Sequence, residues 1–359
     1  MFDSLFVTTS GVGAGSGGGI VSYNIVKALK ECSDLKLILC NGTSDLARSI
    51  NINPSSWGLV DNPFLYDYLA SQLVVKVDLA HFRGDPFGVT VDKLRKLNKD
   101  VKIVVDVPAH NLEVSVEEFY RLGLEYPFKH MIDRKLWKIY IKHVIDADVI
   151  ITPSTLSKEY ITNSDKFVGF KGEIKVIPHG CDLPERVVYI NEDAVGYMGA
   201  LGPDKGFIYL LHAIKNLDVK LFIAGSQSSY IRVNDPDVDK KIFRLGYVKD
   251  VSEFYNNINV YVQPSVTEGF GIEVLEAMSY GRPVIVTQGT GAKDLVEDGK
   301  NGFIVPIRDS KAIAEKIQYF IDNPSEIIRM GHNARLTAEK YTWDVIREKY
   351  IDVYRELGL

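Results

Sequence analysis

Residues 259–287 constrain the fold of this chain more than any other stretch, because strand, loop, helix and strand signals follow one another there. Val260–Val262 is β-branched and aromatic, which is the composition that strands prefer. A polar loop with two glycines follows, and apolar residues then recur at helical spacing from Ile272 to Met278. A glycine and a proline end that helix before a second apolar run. The pattern predicts a βαβ unit, whose two strands must be parallel.

The loop of this unit lies at the carboxyl end of a parallel strand, where open α/β sheets bind their ligands. Gly269 and Gly271 allow close backbone approach, and the helix that begins there offers free N–H groups to an anion. Glu268 on the loop and Glu276 on the helix can accept hydrogen bonds from vicinal hydroxyls. A phosphate site beside hydroxyl acceptors indicates a sugar nucleotide. A capped helix with solvated acids is the simpler alternative.

The same stretch resembles the Glu-x7-Glu motif of the retaining GT-B glycosyltransferases of family 4. The matching residues are Pro264, Ser265, Glu268–Gly271, Glu276–Met278, Gly281, Pro283 and Val284. The resemblance implies the GT-B fold, in which two Rossmann-like α/β domains turn their parallel sheets toward a central cleft. It also implies an acceptor-binding domain over residues 1–170 and a donor-binding domain over residues 171–340. Residues 341–359 would form a helix that crosses back to the N-terminal domain.

Length and composition fit this picture. A chain of 359 residues is long enough for two domains, and its formal net charge of −5 gives no reason to expect a nucleic-acid partner. Its three cysteines, Cys32, Cys40 and Cys181, lack metal-ligand spacing and favour a reducing compartment. No apolar run has the length of a membrane span, and the N-terminus is unlike a signal peptide. We therefore expect a cytoplasmic protein.

A glycine-rich loop follows the first predicted strand, Leu5–Thr8, and precedes a helix predicted over residues 20–29. The loop satisfies the GxGxxG spacing of dinucleotide sites, but it is longer than that tight turn and the next strand supplies no acid for a ribose. The family resemblance implies another use. Gly17, Gly18 and Gly19 match a Gly-Gly pair that faces the cleft, toward the acceptor or the donor diphosphate. A loop without a ligand is the alternative.

Three further strands are predicted in the first half, at 73–77, 102–107 and 147–154, and the last of them is expected to close the N-terminal domain. The resemblance implies that a His following the second of these reaches the donor sugar. His110 is the candidate, although counting along the chain equally allows Asp106 or Pro108 at that place. A solvated loop histidine is the alternative. We treat His81 as a structural residue.

Residues 126–143 interleave lysines and arginine with aromatic side chains, as in helices that lie on anionic membranes. Because many enzymes of the resembling family act on lipid-linked acceptors, peripheral membrane contact is one interpretation of this segment. The other is an ordinary surface helix whose aromatic side chains pack inward.

The second half continues the resemblance, with one departure. Residues 174–182 resemble the turn that leads into the second domain, with His179 in place of Asn, so we place the linker near residues 165–185. The family then has an Arg and a Lys that both bind the donor diphosphate. This chain keeps Lys205 but has Ala200 where the Arg is expected. Loss of that Arg removes a planar, two-pronged phosphate ligand.

These residues define the predicted site. The expected catalytic residues are Glu268, Lys205 and His110, and the expected donor-binding residues are Glu276, Gly269, Phe270, Gly271, Gly17, Gly18 and Gly19. The resemblance implies metal-independent transfer of a sugar, with retention, from a UDP-, GDP- or ADP-sugar to a glycan, lipid-linked or small-molecule acceptor. No cofactor is expected besides the donor. Two other classes remain: a nucleotide-sugar-binding protein that has lost catalysis, and a GT-B enzyme of another type, such as a nucleotide-sugar epimerase or a phosphorylase.

Overall fold

A computed structural model describes residues 2–8, 12, 17–39, 49–51, 63–84, 87–127, 141–225 and 235–359. These residues build two parallel β-sheets with helices around them. The chain completes the first sheet before it starts the second. The structure therefore has two α/β domains, and we call them the first and the second domain after their sheets.

The first sheet contains seven parallel strands within the described residues. They are β1 Phe2–Thr8, β2 Ser33–Leu39, β3 Ser49–Asn51, β4 Leu79–Arg83, β5 Lys102–Asp106, β6 Val149–Thr152 and β7 Glu173–Val176. Their order across the sheet is β3-β2-β1-β4-β5-β6-β7. The central strands are buried almost throughout because helices cover both faces of a parallel sheet.

The helices of the first domain connect these strands. They are α1 Gly17–Cys32, α2 Pro63–Leu73, α3 Gly88–Leu97, α4 Leu112–Arg121, α5 Lys142–Ile145 and α6 Thr155–Asn163, followed by a 3-10 turn at Asp165–Phe167. The predicted strand at 73–77 is wrong, since α2 ends at Leu73 and no regular element follows until β4. The ladder with β1 begins only at Leu79, which pairs with Ser4. An apolar run without a partner strand does not become a strand.

The second sheet has six parallel strands within the described residues, in the order β10-β9-β8-β11-β12-β13. They are β8 Ala194–Met198, β9 Lys220–Ala224, β10 Ile242–Gly246, β11 Val260–Gln263, β12 Val284–Thr287 and β13 Gly302–Val305. The helices are α7 Phe207–Ile214, α8 Pro236–Asp239, α9 Ser252–Tyr255, α10 Ile272–Ser279, α11 Ser310–Asp322, α12 Pro324–Ala338 and α13 Trp343–Glu356, with 3-10 turns at Gly291–Leu295 and Glu339–Tyr341. The predicted βαβ unit is confirmed as β11, α10 and β12, whose strands pair in parallel.

The strand 147–154 is not the last of the first domain, which corrects our prediction. β7 pairs in parallel with β6 and adds an edge strand to the first sheet. The chain leaves that sheet after Val176 and enters the second at Ala194. The passage between the domains therefore lies later in the chain than the boundary expected at residue 170. β7 is only half-buried, and the sequence offers little apolar signal for it.

The strand orders locate the cleft between the domains. In the first sheet the order reverses between β1 and β4, and in the second between β8 and β11. Such switch points open a crevice at the carboxyl ends of the strands. Contacts between the loop after β5 and the loop after β11 show that these two edges face each other.

The last helix, α13, packs on the first domain, although it follows the second domain in the chain. Tyr354 shares a hydrogen bond of 2.8 Å with His81 Nδ1 in β4, and Tyr350 donates one of 2.7 Å to Asp106 in β5. Asp106 in turn pairs with the buried Arg83. His81 is thus a buried structural residue, as predicted.

Two other features of the chain concern membranes. Most of the predicted basic amphipathic segment, 126–143, lies outside the described residues. Among the residues that the structure does describe, no helix combines the length and the apolarity needed to cross a bilayer.

Candidate active site

Two loops of the second domain are bound together at the cleft. The backbone N–H of Val266, after β11, donates to the carbonyl of Asp204, after β8, over 2.8 Å. Gly206 adopts φ 66°, and a Cβ there would lie 2.0 Å from the carbonyl oxygen of Pro264. Only glycine fits this crossing, because any side chain would collide with backbone. The crossing holds Lys205 beside Glu268.

Lys205 and Glu268 form an ion pair at this crossing. Nζ of Lys205 lies 2.5 Å from Oε2 of Glu268, and the side chains are 28% and 20% exposed. Burial alone would raise the pKa of Glu268, but the charge and hydrogen bond of Lys205 hold it below its usual value. Burial alone would lower the pKa of Lys205, but the charges of Glu268 and Asp204 raise it. Both groups of the pair therefore remain charged near neutral pH.

The first domain meets this loop from across the cleft. A Cβ on Gly269 would lie 2.9 Å from the carbonyl oxygen of Pro108 and 3.0 Å from that of Ala109. The hydroxyl of Ser154 donates to the carbonyl of Gly269 over 2.6 Å. The backbone N–H of Asn111 donates to Thr267 Oγ1 over 3.0 Å. Gly269 is needed here because the two backbones approach so closely.

His110 lies at this meeting point, between Ala109 and Asn111, and forms an electrostatic cluster with Lys205 and Glu268. Burial lowers the pKa of His110, and the positive charge of Lys205 lowers it further against the opposing effect of Glu268. The imidazole is therefore neutral at physiological pH, with one nitrogen that donates and one that accepts. The three predicted catalytic residues come from distant parts of the chain and from both domains, and the fold brings them together.

Helix α10 carries two more acids next to Glu268. Burial, and then the charge of Glu268, raise the pKa of Glu273 to about 7. Burial, and then the charge of Glu273, raise the pKa of Glu276 to about 8. Tyr255 donates to Glu276 Oε2 over 3.0 Å and stacks on Tyr280 with the ring centroids 4.9 Å apart. Tyr255 therefore orients the Glu276 carboxyl, whose raised pKa favours the protonated form.

The side chains of the remaining loop residues shape the loop and do not face the ligand. Phe270 is 3% exposed and packs edge-on against His179, with the ring centroids 5.0 Å apart. Its aromatic side chain faces the interior, so a donor can reach only its backbone. Gly271 precedes α10 with φ 88°, a conformation that glycine tolerates best. Helix α10 begins at the next residue, without a side-chain cap.

The predicted glycines of the first domain open α1, which starts at Gly17. Gly18 and Gly19 follow in its first turn, at the carboxyl end of β1 and thus at the same edge of the sheet as His110. The first turn of α1 carries no acidic side chain. Ala200 is exposed, and its carbonyl accepts a hydrogen bond of 2.7 Å from Tyr197.

The sequence alone did not identify Glu273, Tyr255 or Asn111 as parts of this site. Glu273 lies inside the motif, so its position between two predicted site residues was the available signal. Tyr255 and Asn111 lie outside the motif, and only the fold brings them to it.

The class of protein follows from these features together with the comparisons. Residues 186–337 match the family described as glycosyl transferases group 1, and this range contains Lys205, Glu268 and Glu276. This part of the chain is thus similar to the group 1 glycosyltransferases. The capsular polysaccharide biosynthesis glycosyltransferase CapM of Staphylococcus aureus is 37% identical over 171 residues, which cover 45% of each chain. The match thus spans less than half of that relative.

Solved structures resemble the chain over its whole length. Sucrose-phosphate synthase from Thermosynechococcus elongatus gives a TM-score of 0.74 at 18% identity, with 99% of each chain covered. HepE from Anabaena, in complex with UDP and glucose, gives 0.72 at 18% identity, with 99% of this chain and all of that chain covered. These likenesses confirm the predicted GT-B fold for both domains.

Proposed function

We propose that this protein transfers a sugar from a nucleotide-sugar donor to a hydroxyl group of an acceptor, with retention at the anomeric carbon and without a metal ion. The cluster of Lys205, Glu268 and His110 carries this proposal, because it joins a cation, a carboxylate and a neutral imidazole across the cleft. The similarity of residues 186–337 to the group 1 glycosyltransferases supports the same class of reaction.

Lys205 would stabilise the departing phosphate. Its ammonium group has three N–H donors, so it can keep its bond to Glu268 while it binds a phosphate oxygen. Helices α1 and α10 add the positive ends of two helix dipoles. Charge that develops on the leaving group is the main target for such stabilisation, which supports a reaction without a metal ion.

Three other residues would hold the donor. The Glu268 carboxylate would accept hydrogen bonds from hydroxyls of the donor sugar. The neutral imidazole of His110 could both donate to and accept from those hydroxyls. Glu276, fixed by Tyr255, would bind the ribose hydroxyls. The negative charge of Glu268 would also stabilise positive character at the anomeric carbon.

The chemical step exchanges one bond for another. The bond between the anomeric carbon and the donor phosphate oxygen breaks, and a bond from that carbon to the acceptor oxygen forms. The proton of the acceptor hydroxyl leaves with the nucleoside diphosphate. Because the structurally similar HepE forms a complex with UDP and glucose, UDP-glucose is the first donor to test, followed by GDP- and ADP-sugars. The proposed acceptors are glycans, lipid-linked sugars and small hydroxyl compounds.

Nucleotide release across this panel of donors tests the proposal, with Lys205→Met as the diagnostic variant. We expect Lys205→Met to lower kcat by about 100- to 1,000-fold, the usual loss when a transition-state ligand is removed. Lys300→Met is the matched control, because Lys300 forms an exposed ion pair with Glu297 over 2.7 Å. Full turnover of Lys205→Met would refute the phosphate role. The absence of both release and thermal stabilisation with every donor would refute the function itself.

A second candidate function rests on Ala200, which replaces the Arg of the resembling family. A chain with one phosphate cation fewer could bind a nucleotide sugar without transferring it. Saturating ligand at a hundred times its Kd stabilises a fold by about 2.7 kcal/mol. Stabilisation by a donor without nucleotide release, in the presence of an acceptor panel, would favour this candidate.

A further inference from the structure

Helix α4, Leu112–Arg121, belongs to the first domain by its place in the chain but packs away from that domain's core. Leu112 and Phe119 form a small separate cluster with Tyr126. Val114 packs against the core of the second domain. Within the described part of the chain, the cores around the first sheet include no residue of α4.

The last turn of α4 is fastened to the second domain by a buried charge. Glu118 is fully buried, and its partners lie on the other domain. Tyr209 on α7 donates to Glu118 Oε1 over 2.5 Å, and Nε of Arg308 donates to Oε2 over 2.7 Å. Arg308 also reaches Glu117 over 3.1 Å. A buried carboxylate with two hydrogen-bonded partners differs from an exposed ion pair, because loss of a partner leaves it unsatisfied.

The backbone conformation of Arg308 also indicates that this residue is held against α4. Among the described residues it is the one non-glycine residue with positive φ, at 62°. That conformation is unfavourable for a residue with a side chain and persists where surrounding contacts hold it. Arg308 follows β13 and directly precedes Asp309, the N-cap of α11, so the turn aims its guanidinium at α4.

The first turn of α4 is also tied to the second domain. Asn111 caps the helix by accepting from the N–H of Val114 over 3.1 Å, while its own N–H donates to Thr267 over 3.0 Å. His110 immediately precedes this cap, and Thr267 immediately precedes Glu268. Both ends of α4 therefore contact the opposite domain, while Glu113 in its first turn also bonds to Lys166 and Tyr160 of the first domain.

We propose that Glu118 and Arg308 are positioning residues that make α4 move with the second domain, so that His110 keeps its place beside Glu268 and Lys205. This inference rests on the proposed function, since it takes His110 as part of the site. Contacts between two domains commonly shift as ligands bind and leave. A helix tied at both ends to the donor-binding side keeps a first-domain side chain in register with that side.

The test compares Glu118→Gln with Glu113→Gln in steady-state kinetics. Glu118→Gln keeps the size of the side chain and removes its charge. Glu113 is the matched control, because it lies on the same helix but pairs with Lys166 of the first domain over 2.6 Å. We expect Glu118→Gln to lower kcat about 10- to 100-fold, as small misplacements of catalytic groups do, with little change in the donor KM. Glu113→Gln should keep both constants near wild type, and equal losses in the two variants would contradict the proposal.

A double-mutant cycle with His110→Ala separates positioning from general damage. If Glu118 acts through His110, Glu118→Gln should have little further effect on kcat once His110 is absent. An equal loss in both backgrounds would overturn the proposal. Should Glu118→Gln not fold, Tyr209→Phe removes one hydroxyl from the same carboxylate and should give a smaller loss of the same kind.

Hydrogen exchange tests the inference without any turnover. Amides 112–121 should exchange faster in Glu118→Gln than in wild type, with and without UDP, while those of Glu113→Gln should not. Unchanged exchange in Glu118→Gln would refute the fastening of α4 even in an active enzyme. If Glu118→Gln speeds exchange as expected but wild type turns over no donor, the proposed function is contradicted and the fastening of α4 is not.

Discussion

At the scale of single residues, burial changes the chemistry of Glu273 most clearly. Burial, and then the charge of Glu268, raise its pKa from 4.5 to about 7. Between pH 4.5 and about pH 7, the folded protein therefore holds a proton on Glu273 that the unfolded chain has already released. The stability that comes from this proton is fully present below pH 4.5 and is lost as the pH rises through 7.

We therefore expect Glu273→Gln to be more stable than wild type at about pH 8, by on the order of 2 kcal/mol, and equal to it at about pH 4. The amide keeps the shape of the side chain and cannot ionise. Urea unfolding of the two proteins at both pH values measures the difference. Glu253→Gln, at an exposed position of α9, is the control and should match wild type throughout. A stability difference that does not depend on pH would show that the charge of Glu273 is not its cause.

Sequence spacing alone places together those predicted site residues that are close in the chain. Glu268 and Glu276 are eight positions apart across one loop and the helix that follows, so their proximity follows from the helix itself. The pairing of Lys205 with Glu268 spans 63 positions and depended on the family resemblance. The bond from Tyr255 to Glu276 depends on how α9 docks against α10, and that docking is set by tertiary packing.

At the scale of elements, Gly269 decides how closely the two domains can meet. A Cβ there would lie 2.9 Å and 3.0 Å from two backbone carbonyl oxygens, of Pro108 and Ala109. We expect Gly269→Ala to push the loops apart and to lower kcat by about 100-fold, because displacement of the order of an ångström disturbs reacting groups that much.

Gly358→Ala provides the control for this substitution, because its Cβ would meet nothing within 4 Å. Its φ of 83° makes that change locally unfavourable, a backbone cost that Gly269→Ala does not carry because the φ of Gly269 is not positive, so an active Gly358→Ala is a strict control. Nucleotide release by both variants is the measurement. Wild-type activity in Gly269→Ala would mean that the approach of the two domains is not needed for catalysis.

Elements with a strong local pattern were predicted well, and those that depend on a neighbour were not. The unit β11, α10 and β12 has its strand, helix and loop signals in one stretch of chain. The run at 73–77 has strand-like residues, but the ladder with β1 is taken by Leu79–Arg83. β7 has few apolar residues and exists because β6 offers it a free edge. Strand formation is thus decided by pairing as much as by composition.

At the scale of the whole molecule, the end of the chain stabilises its beginning. Helix α13 follows the second domain, but it packs against α1 and brings Tyr350 and Tyr354 to the first sheet. Arg347 also donates to Asn24 of α1 over 3.0 Å. The family resemblance implied this return of the chain, whereas the hydrogen-bond partners could be known only from the fold. Unfolding of the two domains should therefore be coupled.

Tyr350→Phe tests that coupling. The hydroxyl of Tyr350 donates to Asp106 over 2.7 Å, and Asp106 is buried against Arg83. Removing the hydroxyl leaves a buried carboxylate oxygen without this donor, at a cost of about 1–3 kcal/mol. We expect a lower Tm and faster proteolysis between the second domain and α13. Tyr247→Phe, which removes a hydroxyl from a side chain that is 70% exposed, is the control. If both variants melt like wild type, the hydrogen bond from Tyr350 to Asp106 contributes nothing to the union of the domains.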